Sequence, residues 1–135
     1  MHKRILIPVA LDHEGLVSRK IEVARRLLDP DGRITLLTLL EEIPGYVAEF
    51  IDLKPANHVT ARVTEKLNAV AAGESDIETV VETGKAGIGI VNFAEKHGMD
   101  LIIVGSQRPG VEEYFLGSTA ARVARRAPCA VYILR

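Results

Sequence analysis

The sequence has a single cysteine, no tryptophan and few other aromatic residues, with three tyrosines and three phenylalanines among 135 residues. Because Cys129 is alone, an internal disulfide is excluded, which fits a reducing compartment. The scarcity of aromatic rings argues against a base-stacking surface for single-stranded nucleic acid. The 17 basic and 18 acidic residues give a formal net charge of −1. The chain therefore lacks the general electrostatic attraction on which nonspecific nucleic-acid binding depends.

No hydrophobic run is long enough to serve as a signal peptide or to cross a bilayer. The N-terminal apolar run, residues 5–11, contains Pro8 and is followed at once by Asp12. A signal-peptide core leads to a small-residue cleavage site, and a membrane-spanning helix needs about 20 apolar residues. We therefore expect a cytoplasmic protein with no membrane insertion, folded as one domain over residues 1–135.

Hydrophobic residues nevertheless make up 47% of the chain, and they form two alternating patterns. Short runs rich in Ile, Val and Leu are typical of parallel strands covered on both faces; they lie at residues 4–9, 33–40, 77–82, 101–104 and 130–134. Between these runs, apolar residues recur at helical spacing. These residues are Val17, Ile21, Ala24 and Leu28, then Val59, Val63, Leu67 and Val70, then Ile90 and Ala94, and finally positions within Ser118–Arg126. Gly98 and Pro128 are expected to end the last two helices.

Strict alternation of strands and helices predicts an α/β fold with one doubly wound, five-stranded parallel sheet and helices on both faces. Right-handed crossovers restrict the topology, and we expect the strand order 3-2-1-4-5. Ligands of such sheets bind beyond the carboxyl ends of the strands, where the strand order reverses. The loops that leave strands 1 and 4, at residues 10–15 and 105–117, should therefore form the binding crevice, with an irregular connection at residues 41–55 beside it.

Several common catalytic motifs are missing. The four histidines have no spacing that would place two of them on one metal ion. Ser106 directly follows Gly105, so the G-x-S-x-G nucleophile elbow is absent. Lys85 is followed by alanine, whereas a phosphate-binding P-loop has Ser or Thr there. We interpret Lys85 as part of a strand-to-helix turn and Cys129 as a structural thiol, and we predict no metal site and no catalytic residue.

One segment does suit an anion. Gly105 ends a predicted strand, and Arg108 follows it with a planar cation that has several hydrogen-bond donors. Gly117, Ser118 and Thr119 open the last predicted helix, where backbone N–H groups and the positive end of the helix dipole favour a phosphate. The same residues also fit a purely structural role, in which Gly105 turns the chain and Ser118 or Thr119 caps the helix.

These motifs resemble the universal stress protein family, in its small stand-alone bacterial form. The resemblance covers nearly the whole chain and is carried by Ile-Leu-Ile-Pro-Val at residues 5–9 and Met-Asp-Leu-Ile-Ile-Val-Gly-Ser at 99–106. It continues in Leu-Gly-Ser-Thr-Ala-Ala-Arg-Val at residues 116–123 and Pro-Cys-Ala-Val-Tyr at 128–132. The resemblance implies an adenine-nucleotide α-hydrolase-like fold and a cytosolic regulatory protein of the stress response, with ATP or AMP bound, with or without Mg²⁺.

The resemblance also implies which residues would contact the nucleotide. By the matching positions, Val9, Ala10 and Leu39 would line the adenine pocket. Gly105 and Arg108 would flank the ribose and phosphates, while Gly117, Ser118 and Thr119 would hold the phosphate chain. The chain departs from the family pattern at two of these positions. Arg108 replaces a glycine in an Arg-Pro form of the loop that is one residue shorter, and Ala10 replaces an acidic residue.

Three further expectations concern activity and partners. No base and metal-ligand set beside the predicted phosphates marks an efficient ATPase, so at most slow ATP hydrolysis is expected. An alternative function is an adaptor that binds no nucleotide and acts through protein contacts. The last strand, made of Ala130, Val131, Tyr132, Ile133 and Leu134, should be an apolar sheet edge, and the resemblance implies that it pairs with its copy in a homodimer.

Overall fold

The computed structural model describes residues 1–10, 16–40, 55–71, 73–106 and 116–135. Strands and helices alternate along the chain: β1 (His2–Pro8), α1 (Val17–Leu27), β2 (Leu28–Leu40), α2 (Pro55–Ala71), β3 (Ile77–Thr83), α3 (Ala86–Lys96), β4 (Leu101–Gly105), α4 (Ser118–Arg126) and β5 (Ala130–Leu134). The described residues contain no helix that is both long enough and apolar enough to span a membrane.

The five strands form one sheet in the order β3-β2-β1-β4-β5, and every pair of neighbours is parallel. This confirms the predicted fold class and strand order. Ile5 on the central strand pairs with Ile34 of β2 on one side and with Leu101 of β4 on the other. The order reverses between β1 and β4, so these two strands define the switch point of the sheet.

The core lies in two layers, one on each face of the sheet. Ile5 and Ile7 face the layer that contains apolar residues of α1 and α2, and both are fully buried. Leu6, which is also fully buried, faces the opposite layer, built with α3 and α4. Because successive strand side chains point to opposite faces, a strand buried on both faces has no polar alternation. This is why residues 5–7 of β1 form a continuous apolar run.

Several element boundaries differ from the predictions. Strand β1 begins at His2, because the Asp100 carboxylate accepts hydrogen bonds from the backbone N–H groups of Lys3 and Arg4 at 2.9 and 3.1 Å. Strand β2 begins at Leu28, which pairs with His2. A register shift then follows, so that residues 29–32 (Asp-Pro-Asp-Gly) lie between this pair and the next pair, Arg4 with Arg33.

The helix boundaries show the expected end signals. Helix α2 begins at Pro55, a residue whose fixed φ suits the first helical position. Helix α3 follows the turn at Gly84 and Lys85, which confirms the strand-to-helix interpretation. The expected stop at Gly98 is present as well. Its φ of 63° is left-handed, and the Met99 N–H donates to the Ala94 carbonyl at 3.0 Å.

Candidate functional site

The carboxyl end of β1 is held firmly against β2. The Val9 N–H donates to the Leu37 carbonyl at 2.8 Å, and the Thr38 hydroxyl donates to the Val9 carbonyl at 3.0 Å. Val9 is buried, while Ala10 next to it is exposed and presents only a methyl group. Both residues therefore lie at the carboxyl edge of the sheet, and Ala10 begins the mouth of the predicted crevice.

Strands β1 and β4 separate toward this edge. Their paired residues are Ile5 with Leu101 and Leu6 with Ile102, and no further pair joins the described carboxyl halves of these two strands. On the other side, the pairing of β1 with β2 continues to Pro8. The gap between β1 and β4 is the crevice that the switch point of a doubly wound sheet provides.

The start of α4 is anchored to the end of β4. Ser106 is buried; its N–H donates to the Leu134 carbonyl at 2.9 Å, and its own carbonyl accepts from the Gly117 N–H at 2.8 Å. Helix α4 begins at Ser118, with Gly117 at the N-cap position and no side chain capping the helix. The expectation that Ser118 or Thr119 is the N-cap is therefore wrong, because the Gly117 carbonyl already accepts from the Ala121 N–H.

This helix start presents backbone donors to an anion. The first N–H groups of a helix have no intrahelical acceptor, and the first turn of α4 carries no acidic residue that would repel a phosphate. Ser118 is exposed and Thr119 is half-buried. Among the described residues, a Cβ added at Gly117 would meet the Ser106 carbonyl oxygen alone, at an ordinary 3.6 Å. The part of the chain that the structure describes therefore leaves room beside Gly117.

Leu39 follows Thr38, which hydrogen-bonds to Val9, but the side chains of Leu39 and Val9 pack on opposite faces of the sheet. Its side chain packs with the α3 and α4 layer, whereas Val9 belongs to the layer of α1 and α2. Leu39 contacts Gly89 so closely that a Cβ at position 89 would lie 2.6 Å from Leu39 Cδ1. It also lines an open groove of about 370 Å³ with Gly84 and residues of α3. Val9, Ala10, Gly105 and the start of α4 thus lie at the carboxyl edge of the sheet, and the Leu39 side chain packs on the face opposite to Val9; Arg108 lies outside the described residues.

Lys20 is a residue of the crevice that the sequence reasoning missed. Its side chain is only 8% exposed, and its ammonium donates to the Pro8 carbonyl at 3.4 Å. Burial lowers the pKa of Lys20, because the charged form loses hydration. The available signal was its position on the same helical face as Val17 and Ala24, both of which are buried.

The described residues contain no group of three or more His, Cys, Asp or Glu side chains that could hold a metal ion. Cys129 is half-buried, and burial together with the negative charge of Asp100 raises the pKa of its thiol. A raised pKa keeps the thiol protonated, which suits a structural residue and not a nucleophile.

Comparisons with known proteins agree with this architecture. The model of the "Universal stress protein family" matches residues 1–135. The chain is 28% identical over 145 residues to universal stress protein G of Shigella flexneri, with all of both chains covered. Its fold is similar to universal stress protein UspA from Lactobacillus plantarum, with a TM-score of 0.71, 23% identity and coverage of 99% of this chain and 98% of the other.

A second solved structure, of a universal stress protein in complex with cAMP, has a TM-score of 0.66 and 22% identity, with 99% of this chain and 97% of the other covered. The family match spans the whole chain, and both solved structures share its fold. The chain therefore belongs to the universal stress protein family.

Proposed function

We propose that this universal stress protein is a regulatory protein that binds an adenine nucleotide, ATP or AMP, in the crevice between β1 and β4. The observation that carries the proposal is the tie between Gly117 and Ser106. It fixes the start of α4, with its backbone donors, at the carboxyl end of β4. A phosphate placed there would accept hydrogen bonds from the first N–H groups of the helix and benefit from its dipole.

Two observations support a nucleotide as the anion. A structurally similar family member is described in complex with cAMP, a nucleotide that carries an adenine ring and a phosphate. In this chain, Val9 supplies a buried apolar surface and the start of α4 supplies phosphate donors, and both lie at the same edge of the sheet. Any Mg²⁺ would arrive with the nucleotide, because Mg²⁺ is commonly held in part by substrate phosphates.

We assign the bound nucleotide a regulatory role. Phosphoryl transfer requires a residue that positions the attacking group and metal ions that neutralise the developing charge. The crevice as described supplies binding contacts, so nucleotide binding would act by favouring one shape or partner of the protein. Cytoplasmic location and slow ATP hydrolysis at most remain parts of this proposal.

The test compares thermal unfolding of the native protein and of Gly117→Val, each with and without about 1 mM Mg-ATP. This concentration is about a hundred times a dissociation constant of about 10 μM. A ligand at about a hundred times its dissociation constant adds roughly 2.7 kcal/mol to the stability of the native state. The φ of −57° and the 3.6 Å clearance at Gly117 allow a valine Cβ in the ligand-free fold. The added side chain would then occupy the space of the phosphates.

We expect Mg-ATP to raise the unfolding midpoint of the native protein by several degrees and to leave that of Gly117→Val unchanged. Ala124→Val is the matched control, because it adds a β-branched residue at an exposed position of the same helix. A shift that persists in Gly117→Val would move the phosphates elsewhere. No shift in the native protein would overturn nucleotide binding and leave the adaptor hypothesis.

We also propose that β5 forms the interface of a homodimer. The strand order places β5 at the edge of the sheet, where unpaired backbone groups can extend the sheet into another chain. The aromatic side chain of Tyr132 on this strand is 40% exposed. Pairing of β5 with its copy would cover both the backbone edge and the ring of Tyr132.

A further inference from the structure

Lys20 places a buried positive charge at the crevice. Lysine is rarely buried this deeply without a charged partner. Among the described residues, none of the ion pairs includes Lys20; its ammonium has the Pro8 carbonyl as acceptor, at a long 3.4 Å. An ammonium has three donors, so one weak contact leaves most of its hydrogen-bonding capacity unused by the described residues.

The ammonium faces the opening between β1 and β4. Pro8 ends β1, and its carbonyl is free to accept from Lys20 because the pairing of β1 with β4 stops at Leu6. On the other side of the gap, a Cβ added at Gly105 would lie 3.7 Å from Lys20 Nζ. Gly105 therefore lacks the side chain that would otherwise cover the ammonium, and Lys20 Nζ lies between the carboxyl ends of the two strands.

Packing alone does not account for a lysine at this position. Val17 and Ala24, one turn away on either side, lie on the same buried face of α1. A methionine would fill that face without burying a charge. Holding a cation in the interior destabilises the fold where few groups compensate its charge, and the described residues offer Lys20 the Pro8 carbonyl; an anion bound beside it would offset this cost.

We propose that Lys20 recognises the negative charge of the phosphate groups of the ligand, so that affinity depends on the charge of the nucleotide. This inference rests on the proposed function, because it concerns the same crevice. Gly105 and Ser106 connect the two parts of the site: Gly105 lies beside Lys20, and Ser106 accepts from the Gly117 N–H at the start of α4. A phosphate between these groups would meet a buried cation on one side and helical N–H groups on the other.

The test compares the affinities of adenosine, AMP and ATP for the native protein, Lys20→Met and Arg19→Met. Arg19 is the matched control, because it precedes Lys20 on α1 but is exposed. A hydrogen bond to a charged group is strong enough to change affinity by about tenfold or more. We expect Lys20→Met to weaken ATP binding by about tenfold or more and AMP binding by less, with adenosine unchanged. Arg19→Met should bind all three as the native protein does.

If Lys20→Met weakened the affinity for all three ligands equally, charge recognition would be overturned and Lys20 would have a structural role. Unchanged ATP affinity would overturn the inference while leaving nucleotide binding intact. A second measurement does not depend on a variant. We expect ATP to raise the pKa of Lys20 in the native protein, followed through the NMR signals of its ¹³C-labelled side chain; an unchanged pKa would contradict the inference.

A titration of the native protein with inorganic triphosphate distinguishes a failure of this inference from a failure of the proposed function. If none of the adenosine compounds binds the native protein, the proposed function is overturned. A rise in the Lys20 pKa on addition of triphosphate alone would then still support Lys20 as an anion-recognition residue. No response to triphosphate would overturn both proposals.

Discussion

Asp100 fastens the first strand of the sheet, and removing its carboxylate should destabilise the protein measurably. One carboxylate oxygen accepts from the backbone N–H groups of Lys3 and Arg4 at 2.9 and 3.1 Å, and the other lies 3.0 Å from His2 Nδ1. A hydrogen bond contributes about 1 kcal/mol net, so three contribute about 3 kcal/mol. The side chain is 41% exposed, so water would replace part of this contribution. We expect Asp100→Ala to lower the free energy of unfolding by about 2 kcal/mol.

Thermal and urea unfolding measure this loss. For a chain of this length, about 2 kcal/mol corresponds to a fall of roughly 7 °C in the unfolding midpoint. Asp31→Ala is the matched control. Asp31 also carries a carboxylate beside β1, but it is 73% exposed and forms only a 3.7 Å ion pair with Lys3. Such a pair is worth about 1 kcal/mol at most. Equal midpoints for the two variants would refute the role assigned to the Asp100 hydrogen bonds.

Two further predictions concern charge and assembly. Arg25 hydrogen-bonds to Asp76 and holds the pKa of that carboxyl below its usual value. The ionised Asp76 therefore stabilises the folded protein above about pH 4, and this stabilisation is lost as the pH falls through the lowered pKa. We expect Arg25→Met to lower the free energy of unfolding by about 1 kcal/mol or less at neutral pH, because its ion pairs with Asp76 and Glu74 are both partly exposed, and the unfolding curves of the variant and the native protein should converge in acid. Tyr132→Lys should give folded monomers in sedimentation, whereas Ile88→Lys, at an apolar position that is 44% exposed on α3, should leave the dimer intact. Dimers that persist in Tyr132→Lys would place the interface elsewhere.

The fold could be predicted from the sequence because its strongest signals are local and repeated. A parallel strand buried on both faces must be apolar almost throughout, as residues 5–7 and 101–104 are. Helical spacing between such runs then restricts the topology to very few arrangements. The start of β1 at His2 could not be found in this way, because the backbone N–H groups of Lys3 and Arg4 donate to the Asp100 carboxylate, almost a hundred positions away along the chain.

The candidate site was predictable in part. The glycines at 105 and 117 indicated the crevice, since parallel strands bring their carboxyl ends to the same edge. Lys20 was missed because a lysine between apolar positions is ordinarily assigned to solvent. The helical period places it on the buried face all the same. The N-cap was misassigned because Ser is the more common capping residue, whereas here the carbonyl of Gly117 makes the first helical hydrogen bond.

The most direct test of the account is a titration of the ¹⁵N-labelled native protein with ATP, followed by the amide NMR signals. A phosphate bound at the start of α4 and in the crevice should shift the amide signals of Gly105, Gly117 and Ser118 most strongly. Amide signals along α3 should change little, because α3 and the groove beside Leu39 lie on the face of the sheet opposite to Val9. Shifts centred on Gly84 and α3, or no shifts at millimolar ATP, would contradict nucleotide binding between β1 and β4.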